Sequence, residues 1–239
     1  MNYNNDNHSQ KIVKIPCPHC SFLCSPQIKY CPKCGEPLPN NSFSKELSKS
    51  EHLPLIESHG VKIIKFVERE IQKPIPLLDK LKPNLTGYVS ENGEIIGLSL
   101  FKCGLNAISP RIMNLKTLKR LFLRRNNIKE LPELIGFLSD LEMLDLRINE
   151  ISALPSSIGL LSNLKYLNIS SNTLFSLPES IGNLTSLIKL NLNNNKLKTL
   201  PDSLGTLKQL KELKVKANFW ITLPESVKSM QKNGLILFK

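Results

Sequence analysis

The sequence predicts an α/β solenoid with parallel strands on its concave face, preceded by a small metal-stabilised domain. Two compositional features of the 239-residue chain support this prediction. Of its 42 leucines, 33 follow residue 95, and five of its six cysteines lie between Cys17 and Cys34. Such an uneven distribution is typical of two building blocks that are stabilised in different ways, one by apolar burial and one by a metal.

The leucines recur with a period of 23 residues. One copy of the repeated phrase is Leu118-Lys-Arg-Leu-Phe-Leu-Arg-Arg-Asn126, and a second half-phrase follows, as in Leu177-Pro-Glu-Ser-Ile-Gly-Asn-Leu184. Five copies begin at Leu118, Leu141, Leu164, Leu187 and Leu210, and their asparagines are Asn126, Asn149, Asn172, Asn195 and Asn218. A fixed period of this length is the signature of a repeat architecture.

The chemistry of each repeat indicates how the copies pack. Apolar and polar residues alternate in the first half-phrase, as in a half-buried strand, and Pro and Gly mark the return. One repeat cannot bury its own apolar face, but a parallel stack of repeats can. The asparagines should form a column that hydrogen-bonds the turning backbone, which is a structural role and not a catalytic one.

This pattern resembles the leucine-rich repeat family, in the intracellular Leu-Pro-x-x-Ile-Gly-x-Leu variety of Ras-suppressor-like and Roco-like proteins. The resemblance covers residues 95–239, with five regular repeats between two irregular ones. The first repeat has Cys103 in the asparagine position, and the last ends in the strand around Ile236. The resemblance implies a curved stack and a non-enzymatic adaptor or scaffold with a role in signalling.

In such a stack, positions three, five and seven of each strand phrase face the concave surface. These positions combine basic and aromatic side chains, and both are common where proteins bind one another. We expect a protein partner with an acidic surface, while an ordinary solvated face remains the alternative. The candidate contacts are Phe101, Arg120, Phe122, Arg124, Met143, Arg147, Tyr166, Lys189, Lys214 and Lys216.

Residues 15–38 carry two Cys-x-x-Cys pairs. Cys17 and Cys20 form the first pair, Cys31 and Cys34 form the second, and ten residues separate them. Four thiolates at this spacing can surround one structural zinc ion, and the second pair, followed by Gly, resembles a zinc-ribbon knuckle. Cys24 is interpreted as a spare thiol. A disulfide or a redox dithiol is the weaker explanation in a chain for which no secretory signal is predicted.

The remaining segments complete the predicted organisation. Residues 1–14 are a polar tail, and residues 39–58 are a Pro-, Ser- and Asn-rich linker. Residues 59–94 should cap the solenoid, because Val61, Ile64, Val67 and Ile71 recur at helical spacing and Asn92-Gly93 marks a hairpin turn.

Composition and motifs also limit the classes of function that the chain can have. The formal charge of +12 allows binding of nucleic acid, which is the alternative function. We expect no enzyme activity, because phosphate-loop, nucleophile-elbow and zinc-protease motifs are absent from the sequence. The polar start and the lack of a long apolar run predict a cytoplasmic protein that does not insert into a membrane. Self-association through the C-terminal edge strand is a further possibility.

Overall fold

The computed structural model describes residues 58–219 and 221–239, and the backbone of two short strands nearer the start. The chain divides into two compact units, Met1–Leu55 and Ile56–Lys239. In the first unit, β1 (Ile15–Pro16) pairs antiparallel with β2 (Leu23–Cys24). The predicted tail, zinc-ribbon ligands and linker otherwise lie outside the described residues.

In the second unit the strands form an eight-stranded sheet in chain order. The first two strands pair antiparallel and the others pair in parallel. From β4 to β9, each residue aligns with the residue 23 positions further along the chain, as the period requires. The strands are β3 (Gly87–Glu91), β4 (Glu94–Ser99), β5 (Arg120–Phe122), β6 (Met143–Asp145), β7 (Tyr166–Asn168), β8 (Lys189–Asn191), β9 (Glu212–Lys214) and β10 (Ile236–Phe238).

The returns between parallel strands form a second layer, which we call the outer face. Five of the returns are single 3₁₀ turns, each of five residues, which are too few for a stable α-helix. Each turn follows the Pro of its repeat, except the first, which follows Ser109. Only the last return forms an α-helix, α2 (Glu225–Lys232). The 3₁₀ turns are Pro110–Asn114, Glu133–Phe137, Ser156–Leu160, Glu179–Asn183 and Asp202–Thr206.

The asparagine column is confirmed as a structural element. Asn149 is 8% exposed; its Nδ2 donates to the carbonyl oxygens of Leu123 (3.0 Å) and Leu146 (2.9 Å). Its Oδ1 accepts a hydrogen bond from Ile128 N at 3.1 Å. One amide thus satisfies three buried backbone groups in two repeats. The equivalent bonds recur at Asn126, Asn172, Asn195 and Asn218.

An N-terminal cap covers the first repeat, as the sequence predicts. Helix α1 (His59–Ile71) begins after Ser58, whose Oγ accepts a hydrogen bond from Val61 N. Its buried face includes Ile64 and Val67, which join the same apolar core as the leucines of the repeats. The β3–β4 hairpin turns at Asn92-Gly93, where both residues have positive φ.

A segment between α1 and β3 also belongs to the cap, and we call residues 73–86 the strap. The strap is anchored by Ile75, which is 1% exposed and whose N–H donates to the Glu68 carboxylate at 2.7 Å. It then runs beside β3, where Leu78 N donates to the Tyr88 carbonyl oxygen at 2.7 Å. Thr86 Oγ1 closes the segment by donating to the carbonyl oxygen of Phe101 at 2.8 Å. The sequence pattern does not predict that residues 73–86 pack on the sheet.

Strand β10 lies at the other edge of the sheet. Its side chains Ile236 and Phe238 are 57% and 37% exposed. Pairing of this strand with a second copy stays a prediction.

Candidate functional site

The sheet has one face in the core and one open face, as the alternation predicts. In β5, Leu121 is completely buried in the core, whereas its neighbours Arg120 and Phe122 lie on the other side of the strand. The 23-residue register carries this arrangement along the sheet, so that Arg120 aligns with Met143 and Tyr166. The open face therefore carries the side chains predicted to contact a partner.

Phe122 differs from the other candidates, because most of its side chain is buried. It is only 6% exposed, in a small apolar cluster with Leu81 of the strap and Val89 of β3. Gly97, which aligns with Arg120, makes room for this packing: a Cβ there would lie 2.9 Å from Leu81 Cδ2 and 2.7 Å from Val89 Cγ2. The strap thus covers the N-terminal part of the open face.

The neighbouring candidates Phe101, Arg120 and Arg124 are only half-buried, so they stay at the margin of this cluster. The Arg124 guanidinium lies 6.0 Å from the centre of the Phe101 ring. Arg124 Nε is buried and makes no hydrogen bond within the part of the chain that the structure describes.

Beyond the strap, the open face forms a hollow of about 340 Å³ over strands β6 to β9. Volumes of this size are typical of ligand sites. Tyr166, which is 37% exposed, and Met143 supply apolar surface, and Pro83 of the strap closes one end. Polar side chains complete the lining: Asp145, Arg147, Asn168, Lys189, Asn191, Glu212 and Lys214. The hollow thus brings together six of the predicted residues: Phe122, Met143, Arg147, Tyr166, Lys189 and Lys214.

Two ion-pair clusters hold most of these charges. Arg147 donates to the buried Asp145 carboxylate, with the Nη2–Oδ2 distance at 2.6 Å, and this hydrogen bond raises the pKa of Arg147. Glu212 accepts from Lys214 at 2.8 Å and lies 3.3 Å from Lys189, and mainly the Lys214 bond lowers the pKa of Glu212. The hollow therefore contains three cations and two carboxylates, so its charge is more nearly balanced than the basic surface predicted from the sequence.

Asn168 and Asn191 also line the hollow, although they are not among the candidate contacts. The Oδ1 of each amide accepts from the backbone two residues later, at 3.1 Å in both cases. Their Nδ2 groups have no hydrogen-bond partner among the described residues and line the hollow. Each asparagine follows a predicted contact residue by two positions, Tyr166 or Lys189, and this spacing indicates that it lies on the same face of its strand. The predicted residue Lys216 is exposed but does not line the hollow.

The hollow has the chemistry of a binding surface. It offers a phenol, amide N–H donors and paired charges, but no histidine or cysteine lines it. Within residues 58–219 and 221–239, no group of three or more His, Cys, Asp or Glu is placed to hold a metal ion. No described helix has both the length and the apolar character needed to cross a membrane.

Solved structures of repeat proteins resemble this chain. A leucine-rich repeat protein of Leptospira interrogans, LIC12759, is 32% identical over 60% of this chain and 41% of its own, with a TM-score of 0.47. The plant peptide hormone receptor RGFR1, in complex with RGF2, is 29% identical over 60% of this chain and 24% of its own, with a TM-score of 0.50.

The ectodomain of the Arabidopsis thaliana receptor kinase GASSHO1/SCHENGEN3, in complex with CASPARIAN STRIP INTEGRITY FACTOR 2, is 26% identical, with a TM-score of 0.51. This match covers 72% of this chain and 19% of that one. The chain thus spans less than half the length of each of these structures. A search of curated proteins finds no match.

A family model described as a leucine-rich repeat region matches residues 98–232, which is more than half of the chain. The matched residues include strands β5 to β9 and the asparagine column. The chain belongs to the leucine-rich repeat family.

Proposed function

We propose that this protein is a non-enzymatic interaction adaptor or scaffold, whose hollow over strands β6 to β9 binds a segment of a partner protein. The observation that carries the proposal is the hollow itself, where an exposed tyrosine and a half-buried methionine lie beside two asparagine amides on the sheet. Tyr is enriched at the centres of protein interfaces because it combines apolar area with a hydrogen-bonding group. The RGFR1 structure holds RGF2, which supports a peptide or protein ligand for a related fold.

The expected partner segment carries both acidic and apolar side chains. Inside the hollow, the two ion-pair clusters leave a small positive excess. Lys216 and Arg124 add positive charge at its margins, where solvent screening is stronger. Acidic groups would therefore speed association and fix orientation, while the contacts to Tyr166 and Met143 supply most of the affinity.

Quantitative affinity purification tests this proposal. Tyr166→Ser combined with Lys189→Glu alters two side chains of the hollow and leaves the leucine core intact. We expect partners held by the wild type to be lost with this variant and kept with Phe175→Ser, which removes an aromatic that is 55% exposed elsewhere. Equal recovery with both variants contradicts the proposal. Material that is lost on nuclease treatment would favour the nucleic-acid alternative instead.

We also propose that Cys17, Cys20, Cys31 and Cys34 hold one structural zinc ion. The β1–β2 pairing supports this, since Cys17 and Cys20 lie in the chain that connects those two strands. The ion would stabilise a segment that is too short to fold by apolar burial alone. Metal analysis of the purified protein should give one zinc per chain, lost in Cys31→Ser and retained in Cys24→Ser. Equal zinc in wild type and Cys31→Ser would contradict the assignment.

A cytoplasmic location and a role in signalling remain parts of the proposal. The location follows from the interpretation of the clustered cysteines as metal ligands, because such thiols persist in a reducing compartment. Localisation of a tagged full-length chain checks this part directly.

A further inference from the structure

The outer face carries apolar side chains that the scaffold does not need. Leu134, Phe137 and Leu160 are 43%, 55% and 60% exposed on the second and third 3₁₀ turns. Phe66 of helix α1 is 43% exposed. We call these four residues the outer patch.

The side chains of the outer patch lie on neighbouring elements of the cap and the outer face. Phe137 and Leu160 occupy the same place in consecutive repeats, and a Cβ at Gly136 would lie 2.9 Å from Leu160 Cδ1. Leu134 likewise follows Arg111 by one repeat, and the Arg111 guanidinium lies 4.6 Å from the centre of the Phe66 ring. The patch therefore extends from the cap over the first three 3₁₀ turns.

The other repeats provide an internal comparison. At the place of Leu134, the three following repeats have serine: Ser157, Ser180 and Ser203. At the place of Phe137 and Leu160, the next two repeats have Asn183 and Thr206. In the last of these repeats the polar side chains bond to the preceding turn: Ser203 Oγ donates to the Glu179 carbonyl oxygen at 2.7 Å, and Thr206 Oγ1 donates to Gly182 O at 2.9 Å. The apolar side chains thus serve something other than the stacking of repeats.

Positive charges border the outer patch. The Arg69 guanidinium lies 5.7 Å from the Phe66 ring centre, and Lys116 Nζ lies 4.8 Å from the ring centre of Phe137. Two of the nearby carboxylates already accept hydrogen bonds within the protein. Glu70 accepts from Arg111 at 3.3 Å, and Glu133 accepts from Ser157 N at 3.3 Å. Cations held against exposed rings can receive carboxylates from a ligand without loss of an existing ion pair at Lys116 or Arg69.

We propose that the outer patch docks an acidic amphipathic helix of a partner protein, at a site separate from the hollow. The charge at the border selects acidic groups, and the exposed rings and leucines select an apolar stripe. The spacing of the repeats is of the same order: paired strands of neighbouring repeats are about 5 Å apart, and one helical turn rises about 5.4 Å. A helix that crosses the repeats would place one apolar side chain on each of them.

Selection from a random peptide library tests the proposal. The full chain is the bait, the peptides have about 16 residues, or roughly four helical turns, and the variant Phe137→Asn/Leu160→Asn is used for counter-selection. Asparagine is the residue that this chain itself has at Asn183, so the variant should fold normally. We expect selected peptides to be rich in Asp and Glu and to repeat apolar residues every three or four positions.

Affinity measurements on the best selected peptide complete the test. Fluorescence anisotropy should show binding at least roughly tenfold weaker to the double Asn variant. Lys116→Glu should weaken it several-fold, most clearly at low salt. Two controls should bind like the wild type: Phe175→Ser, an equally exposed aromatic outside the patch, and Tyr166→Ser in the hollow. Loss of binding with Tyr166→Ser alone would place the peptide in the hollow and overturn the proposal.

Other outcomes would also overturn it. Selected peptides that are basic, or none that distinguish the wild type from the double Asn variant, contradict an acidic helical partner. A wild-type dimer that the double Asn variant converts to a monomer would make a second copy the occupant. Binding to phosphatidylcholine vesicles that contain phosphatidylserine, lost in the same variant and without any peptide binding, would make it a lipid surface.

Discussion

Strands β5 and β7 have the same register and the same leucine core, yet their open faces differ. Phe122 of β5 is 6% exposed beneath the strap, whereas Tyr166 of β7 is 37% exposed in the hollow. The repeat determines the direction in which a side chain points. Whether that side chain meets solvent depends on residues 73–86, which lie outside the repeat. The exposure of a side chain on the open face therefore depends on the segments that cover that face, and not only on the repeat.

Truncation of the two aromatic residues should give the largest contrast. Phe122→Ala should lower the free energy of unfolding by about 3 kcal/mol, because it removes a buried ring and leaves a cavity. Tyr166→Ala should lower it by less than about 1 kcal/mol, because its ring is partly in solvent. Chemical denaturation of both variants measures the difference, and equal losses would mean that the strap does not bury Phe122.

The strap itself can be weakened at Leu81. Leu81 is 7% exposed, so Leu81→Ala should cost about 2 kcal/mol of unfolding free energy. Leu77→Ala is the matched control in the same segment, since Leu77 is 60% exposed and should change stability little. If both substitutions have the same small effect, the strap does not pack on the open face as described.

Gly97→Ala tests how closely the strap packs against strand β4. A methyl group there would be too close to Leu81 and Val89, so we expect a loss of about 1–2 kcal/mol in unfolding free energy. In a Leu81→Ala background the loss should shrink, because the shortened side chain leaves space. Thermal or chemical denaturation of the two single variants and the double variant measures the coupling. Additive losses would contradict the contact.

The smallest expected effect is on stability in acid, at Glu212 in the hollow. The pKa of Glu212 is lower in the folded protein than in the unfolded chain, chiefly because Lys214 donates a hydrogen bond to it. Its contribution is therefore present above the unfolded-state pKa, about 4.3, and is lost as the pH falls through the lower folded-state pKa. Glu212→Gln should remove about 0.5 kcal/mol at neutral pH and nothing at pH values below both pKa values. A loss that persists in acid would exclude the ion pairs as its cause.

Much of the fold follows from local chemistry that the sequence displays. The positions of the strands follow from leucine spacing, the turns from Asn149 and its equivalents, and the cap helix from the spacing of Ile64 and Val67. These elements depend on contacts within one repeat or between neighbours, so their signals recur in the sequence. The family match and the structure confirm the repeats.

The burial of Phe122 could not be predicted in the same way. It depends on one long-range contact with Leu81, in a segment that has no periodicity and that appears once. The pairing of Lys189 and Lys214 with Glu212 was likewise hidden, because it requires the register of two strands and the conformations of long side chains. Gly97, at a position that has side chains in the other strands, was the one available sign that something packs there.

Site-specific photo-crosslinking tests the central claim, that a partner binds the uncovered strands, most directly. A photoreactive phenylalanine analogue is placed at Tyr166 in one variant and at Arg120 in another, since these two positions share one register on the open face. The account predicts that the protein crosslinks to a partner from position 166, and from position 120 only to its own strap. A partner adduct from position 120 with none from position 166 would contradict it.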